Sequence, residues 1–167
     1  THQGTTNGLT YRAWLTGFGF NVPSGALIQG IEFAIEHSEN EVAANFFIDG
    51  LTGTGGSGAW LVVDGAVTGT KKTDATEVPT TDTVLTLGSS SDQWGRLAGF
   101  TVDDINDASF GCAFAYDFTG GGGGARTLRV DYVTLTVYYT PPGRALAGNN
   151  FGASSTGGVP VGKSPSN

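Results

Sequence analysis

The chain has 167 residues, 38 % of them hydrophobic, with 28 glycines, no methionine and a net charge of −7. That length suits one domain with a complete core, and a composition this rich in glycine and poor in helix formers excludes a helical bundle. With 15 acidic against 8 basic residues and no basic cluster beyond Lys71 and Lys72, direct DNA or RNA binding is not expected, since it needs a cationic face.

Taken in chain order, period-two alternation dominates. Residues 11–18 read as a first strand, followed by a turn at Asn21-Val22-Pro23-Ser24-Gly25. In residues 31–36, Ile31, Phe33 and Ile35 share one side while Glu32 and Glu36 share the other, the pattern of a strand with one wet face. Residues 42–48 form a further strand that ends at the Asp49-Gly50 turn. Residues 60–64 and 66–70 make the clearest hairpin, because Asp64-Gly65 supplies the positive φ angles of a type I′ turn. Strands are also expected over residues 83–87 and 110–118, with one helical turn over residues 102–107 capped by Thr101. Residues 120–124 are all glycine and predict a flexible hairpin tip.

The run from Thr127 to Tyr139 alternates over a longer distance. Leu128, Val130, Tyr132, Thr134, Thr136 and Tyr138 fall on one face. The opposite face turns from charged (Arg129, Asp131) to apolar (Val133, Leu135, Val137) halfway along, so the strand is expected to leave water and enter cover. About eight strands separated by turn signals predict an all-β fold: a two-sheet antiparallel sandwich, jelly-roll-like, over residues 1–140. Residues 141–167 are rich in Gly, Pro, Ser and Asn and predict an extended C-terminal arm that reaches roughly 90 Å when stretched. Such an arm is expected to lie on a neighbouring subunit, with Leu146, Phe151, Val159 and Val161 as its apolar anchors.

No catalytic set is assembled by the sequence. The two histidines are His2, near the N-terminus, and His37, at the end of a strand, and there is no Gly-x-Ser-x-Gly elbow. Glu32 and Glu36 would sit about 13 Å apart along one strand, wider than either glycosidase spacing. One Cys and two scattered His cannot close a zinc site. Asp103, Asp104, Asn106 and Asp107 bunch as oxygen donors for calcium, but their spacing matches no EF-hand and they read as turn caps. Residues 120–124 lack the Lys-Ser/Thr of a phosphate-binding loop. The expectation is therefore no enzyme, no cofactor and no metal. Trp14, Trp60 and Trp94, with Tyr116, Tyr132, Tyr138 and Tyr139, are the candidates for a sugar-stacking platform, but the favoured expectation places Trp14 and Trp60 in the core and Trp94 as a packed loop anchor.

Cys112, alone in an apolar run, reads as a buried thiol in a chain folded in a reducing cytosol. No apolar run is long enough to span a membrane, no signal-peptide pattern is present, and the start at Thr1 reads as processed or trimmed.

Several segments carry a resemblance in their order along the chain. They include Gly17-Phe18-Gly19-Phe20-Asn21-Val22-Pro23, Leu61-Val62-Val63-Asp64-Gly65, Ser91-Asp92-Gln93-Trp94-Gly95, Asp104-Ile105-Asn106-Asp107-Ala108-Ser109-Phe110-Gly111 and Val130-Asp131-Tyr132-Val133. Over about residues 11–140 the chain resembles a β-sandwich domain of structural proteins of tailed bacteriophages, including head and tail surface components. That resemblance implies no catalytic residues. It implies a capsid decoration or virion surface protein, made in the host cytoplasm, that binds capsid or other virion proteins and its own copies as a homo-oligomer. The alternative expectation is a carbohydrate-binding or adhesion module, with a glycan as partner.

Overall fold

The computed structural model describes residues 2–4, 8–40, 46–48, 56–119, 126–143 and 153–160, with the backbone alone for residues 2–4, 126 and 153–160. The glycine run at residues 120–124 and the anchors Leu146, Phe151 and Val161 lie outside the described residues.

Alternating apolar side chains build the two main layers. In the long sheet, β4 (Leu27–Glu39) pairs on one side with β8 (Thr83–Gly88) and on the other with β11 (Arg126–Thr140), all antiparallel. The far edge of β11 takes β1 (His2–Gly4) at one end and β12 (Ala153–Pro160) along most of its length. The four-stranded sheet has the order β3 (Ala13–Thr16), β9 (Gly111–Ala115), β6 (Gly58–Val63), β7 (Ala66–Lys72). A small third sheet of β2 (Gly8–Leu9), β10 (Asp117–Phe118) and β5 (Phe46–Phe47) continues it past Tyr116. All pairings are antiparallel, and the fold is all-β and sandwich-like as expected, with one short helix, α1 (Val102–Asn106). Thr101 caps that helix in a capping box with Asp104. The 64–65 hairpin turns through φ +52° and +72°, the pair of positive angles that the Asp-Gly step predicts.

Ile31, Phe33 and Ile35 of β4 meet Ala59, Leu61, Cys112 and Phe114 of the other layer in one core. Cys112 is fully buried there, and burial pushes its thiol pKa up. The change of face along residues 127–139 has a local cause. A register shift between Val130 and Tyr132 inserts one residue into β11, so Leu128 and Val130 face the core before it and Val133, Leu135 and Val137 after it. Tyr132, Thr134, Thr136 and Tyr138 are thereby turned outward instead of sharing a face with Leu128 and Val130. Eight residues of the segment expected to form an arm are seated on this chain's own sheet as β12, with Val159 opposite Val133.

The two layers are clamped at one edge by the loop around Trp94. Its side chain is fully buried, and its indole N–H donates to the Ile31 carbonyl at 2.8 Å. Its own carbonyl accepts from the Thr70 amide of β7 at 2.5 Å, so one residue holds a strand of each sheet. The Gln93 side-chain amide reinforces the first side, its Nε2 donating to the Ile28 and Gln29 carbonyls. Trp94 adopts φ +52°, an unfavourable angle for a bulky side chain, and its packing outweighs that strain. Gly88 is needed beneath it: at φ +89° a Cβ would come within 2.3 Å of the Ile31 carbonyl oxygen.

Trp94→Ala is expected to lower unfolding free energy by about 3–5 kcal/mol, with Trp94→Phe in between, as read from urea denaturation. A loss below about 1 kcal/mol would show that the loop does not hold the layers together.

Candidate functional site

Two surfaces carry polar or aromatic chemistry. The first is a pocket of about 270 Å³ beside β8, lined by His37, Ile48, Asp74, Glu77, Pro79 and Leu85 among others. His37 continues the inward row of β4 at the point where the core opens into this pocket. Its Nδ1 lies 2.7 Å from the hydroxyl oxygen of the buried Tyr116. Burial lowers the imidazole pKa to about 4, against an opposing pull from Asp74. Burial likewise holds the Tyr116 phenol well above its ordinary value. Both groups are therefore neutral at pH 7, and a base with a pKa of about 4 is poorly matched to proton abstraction there. The partner of His37 is a phenol, not a serine or cysteine nucleophile. Asp74 is engaged as a turn acceptor for the Thr76 amide at 2.7 Å. This arrangement suits a satisfied polar plug at the end of the core. Nearby buried carboxylates also serve the backbone and its neighbours: Asp117 accepts from the Ser57 hydroxyl at 2.5 Å, and Glu39 from the Phe46 amide at 3.5 Å.

The second surface is the outer face of the four-stranded sheet. Trp14, Ala113 and Trp60 occupy one cross-strand row, while their neighbours Ala13, Leu15, Ala59 and Leu61 turn inward. Trp14 thus stands outside the core, correcting the expectation that it fills it, whereas Trp60 is buried, 8 % exposed, although its side chain belongs to the outer row. Trp14 is 47 % exposed. Trp60 is covered by the Arg12 guanidinium, 4.2 Å from the ring centroid, with Lys71 Nζ at 6.0 Å. Small Ala113 between the indoles is itself fully buried. One step along, buried Val62 pairs with the exposed Val67. No acidic residue occurs in any of the four strands of this sheet.

The other aromatics are distributed differently. Trp94 and Tyr116 are buried, and Tyr132 and Tyr138 lie on the opposite outer face of the sandwich, so a single platform of all of them does not form. Of the four expected arm anchors, only Val159 is placed, in β12. The acidic loop does structural work: Asp104 belongs to the helix cap, Asn106 bridges both main-chain polar groups of Val22, and Asp107 accepts from the Ser109 amide. Among the described residues no group of three or more His, Cys, Asp or Glu gathers around a common point, and no helix is long and apolar enough to cross a membrane.

Because folded His37 resists protonation, the unfolded chain takes up its proton first as pH falls. The His37 contribution is present above pH 6.5 and is lost as pH drops through about 4. Its full size is about 3 kcal/mol. His37→Gln is expected to flatten this part of the stability profile, measured by denaturation between pH 7 and pH 4. An unchanged slope in the variant would contradict the buried neutral imidazole.

No family model, no curated protein and no solved structure matches the chain.

Proposed function

We propose that the chain is a non-enzymatic virion structural domain, a capsid decoration or surface protein, which binds capsid and neighbouring copies through its sheet faces. The observation that carries this reading is the outer face of the four-stranded sheet, where Trp14 stands half-exposed at one edge and Val67 is exposed at the other. An exposed indole such as Trp14 is a natural anchor for a docking partner. The neutral, phenol-bonded His37 and the structural roles of the loop carboxylates agree with a binding role. The ordered motifs shared with phage sandwich domains supply the class of partner.

A second reading, a carbohydrate-binding or adhesion module, is favoured by the same half-exposed indole, whose flat apolar surface suits a sugar ring.

Purified protein is expected to co-sediment with particles of the virus that encodes it. Trp14→Ala should weaken that association by about tenfold or more while leaving the thermal midpoint nearly unmoved, since the side chain is already half in water. Failure of the wild-type chain to bind particles, together with glycan-array binding that Trp14→Ala abolishes, would transfer the assignment to the second reading.

A further inference from the structure

The two outer faces of the sandwich differ in charge balance: Arg12 and Lys71 lie on one, while on the other Glu32 and Glu36 outnumber the exposed Arg129 of β11. On the four-stranded sheet, Arg12 and Lys71 flank Trp60 and no strand contributes an acid. Arg12 forms no ion pair with another described residue. On the long sheet, Glu32 and Glu36 face outward from the centre of β4, because Phe33 and Ile35 between them turn into the core. Glu36 lies between Tyr132 of β11 and the exposed Val84 of β8, and Glu32 accepts a hydrogen bond from the Tyr138 hydroxyl at 3.4 Å. One face thus presents cations on an indole bed, and the other presents carboxylates between tyrosines and a valine. In a chain of net charge −7, this segregation is not what an even spread of surplus acid would produce.

We propose that the acidic outer face of the long sheet docks on the cationic, tryptophan-bearing face of the four-stranded sheet of a second copy of this chain. The proposal rests on the reading that the domain works by binding its own copies, and it names the two surfaces that meet. The contact is head-to-tail: each copy uses one face as donor and the other as acceptor, so a pair leaves both a cationic and an acidic face open and the association continues into rows. Four strands about 4.8 Å apart, with about five residues of 3.3 Å rise in each, give a face of roughly 300 Å² per copy. That is well below the ~800 Å² per partner of a stable complex. A single contact is therefore weak in free solution and takes effect where copies are already concentrated, as on a particle surface. The charged rim sets orientation and excludes like-face pairing, and the indole and tyrosine surfaces provide the burial.

The test uses the full chain in sedimentation velocity from about 10 µM to about 1 mM, at low and at high salt, a range chosen for a millimolar-class contact. Wild type is expected to show a sedimentation coefficient that rises with concentration at low salt and falls back at high salt. R12E/K71E and E32K/E36K should each stay monomeric across the range. Mixing the two variants should restore association, because each reversed face then meets a complementary one. Circular dichroism and thermal midpoints check that both variants are folded. A wild-type chain that remains monomeric at all concentrations, or variants that associate as wild type does, would overturn the proposal. So would a mixture that fails to recover. Particle co-sedimentation run in parallel separates this from the wider reading: R12E/K71E that binds particles but not its own kind leaves the virion role standing with a different copy-to-copy contact.

Discussion

The hydrogen bond from the Trp94 indole to the Ile31 carbonyl ties the edge of the long sheet to the loop that also grips β7. A sandwich is held by burial between its layers, but burial is non-directional and leaves the layers free to slide or splay. A large side chain at 0 % exposure, fixed by a donor on one sheet and an acceptor on the other, removes that freedom. The ion pair of Lys72 with Asp92, at 2.5 Å, and the approach of the same ammonium to the Trp94 ring close the loop from outside. The relative position of the outer faces follows from this clamp.

Which side chains reach those faces is decided by parity. In β11 one inserted residue changes the face of everything after it, so Tyr132 and Tyr138 turn outward beside Glu36 and Glu32. Without the bulge, the same strand would present Val133, Leu135 and Val137 to water and bury hydroxyls. In the opposite layer, Trp60 and Val62 point away from the core while Ala59 and Leu61 point into it. The bulky indole of Trp60 is thereby placed on the outer side, where Arg12 covers it. The distinct chemistry of the two faces results from these two local choices.

The buried polar groups at the other end of the sandwich serve a complementary purpose. His37 and Tyr116, 79 residues apart in the chain, satisfy each other where the apolar rows run out. Thr10 exchanges hydrogen bonds with Tyr116 through both its carbonyl-directed amide and its hydroxyl, marking the point where the four-stranded sheet gives way to the small one. A neutral pair here ends the core without leaving an unpaired donor.

Much of the architecture was legible in the residues. The alternation in β4, the Asp64-Gly65 hairpin and the Thr101 cap are local devices whose geometry depends on neighbours a few positions away. The break of phase in residues 127–139 was visible as a pattern, and its cause, a bulge, needed the partner strand to be seen. The orientation of Trp60 was not legible, because Gly58 to Val63 is almost wholly apolar and an unbroken apolar run has no readable parity. Nor could the outward placement of Trp14 be read, since a four-residue strand offers too little alternation. The sequence by itself determined the strands, the turns and the all-β class, since these arise from backbone preferences and short-range spacing. Only the tertiary structure decided which face of each strand meets water, how Trp94 joins Ile31 to Thr70, and that Arg12 and Lys71 meet over Trp60 on one sheet while Glu32 and Glu36 face outward on the other. Those facts depend on contacts between residues tens of positions apart, and no local pattern encodes them.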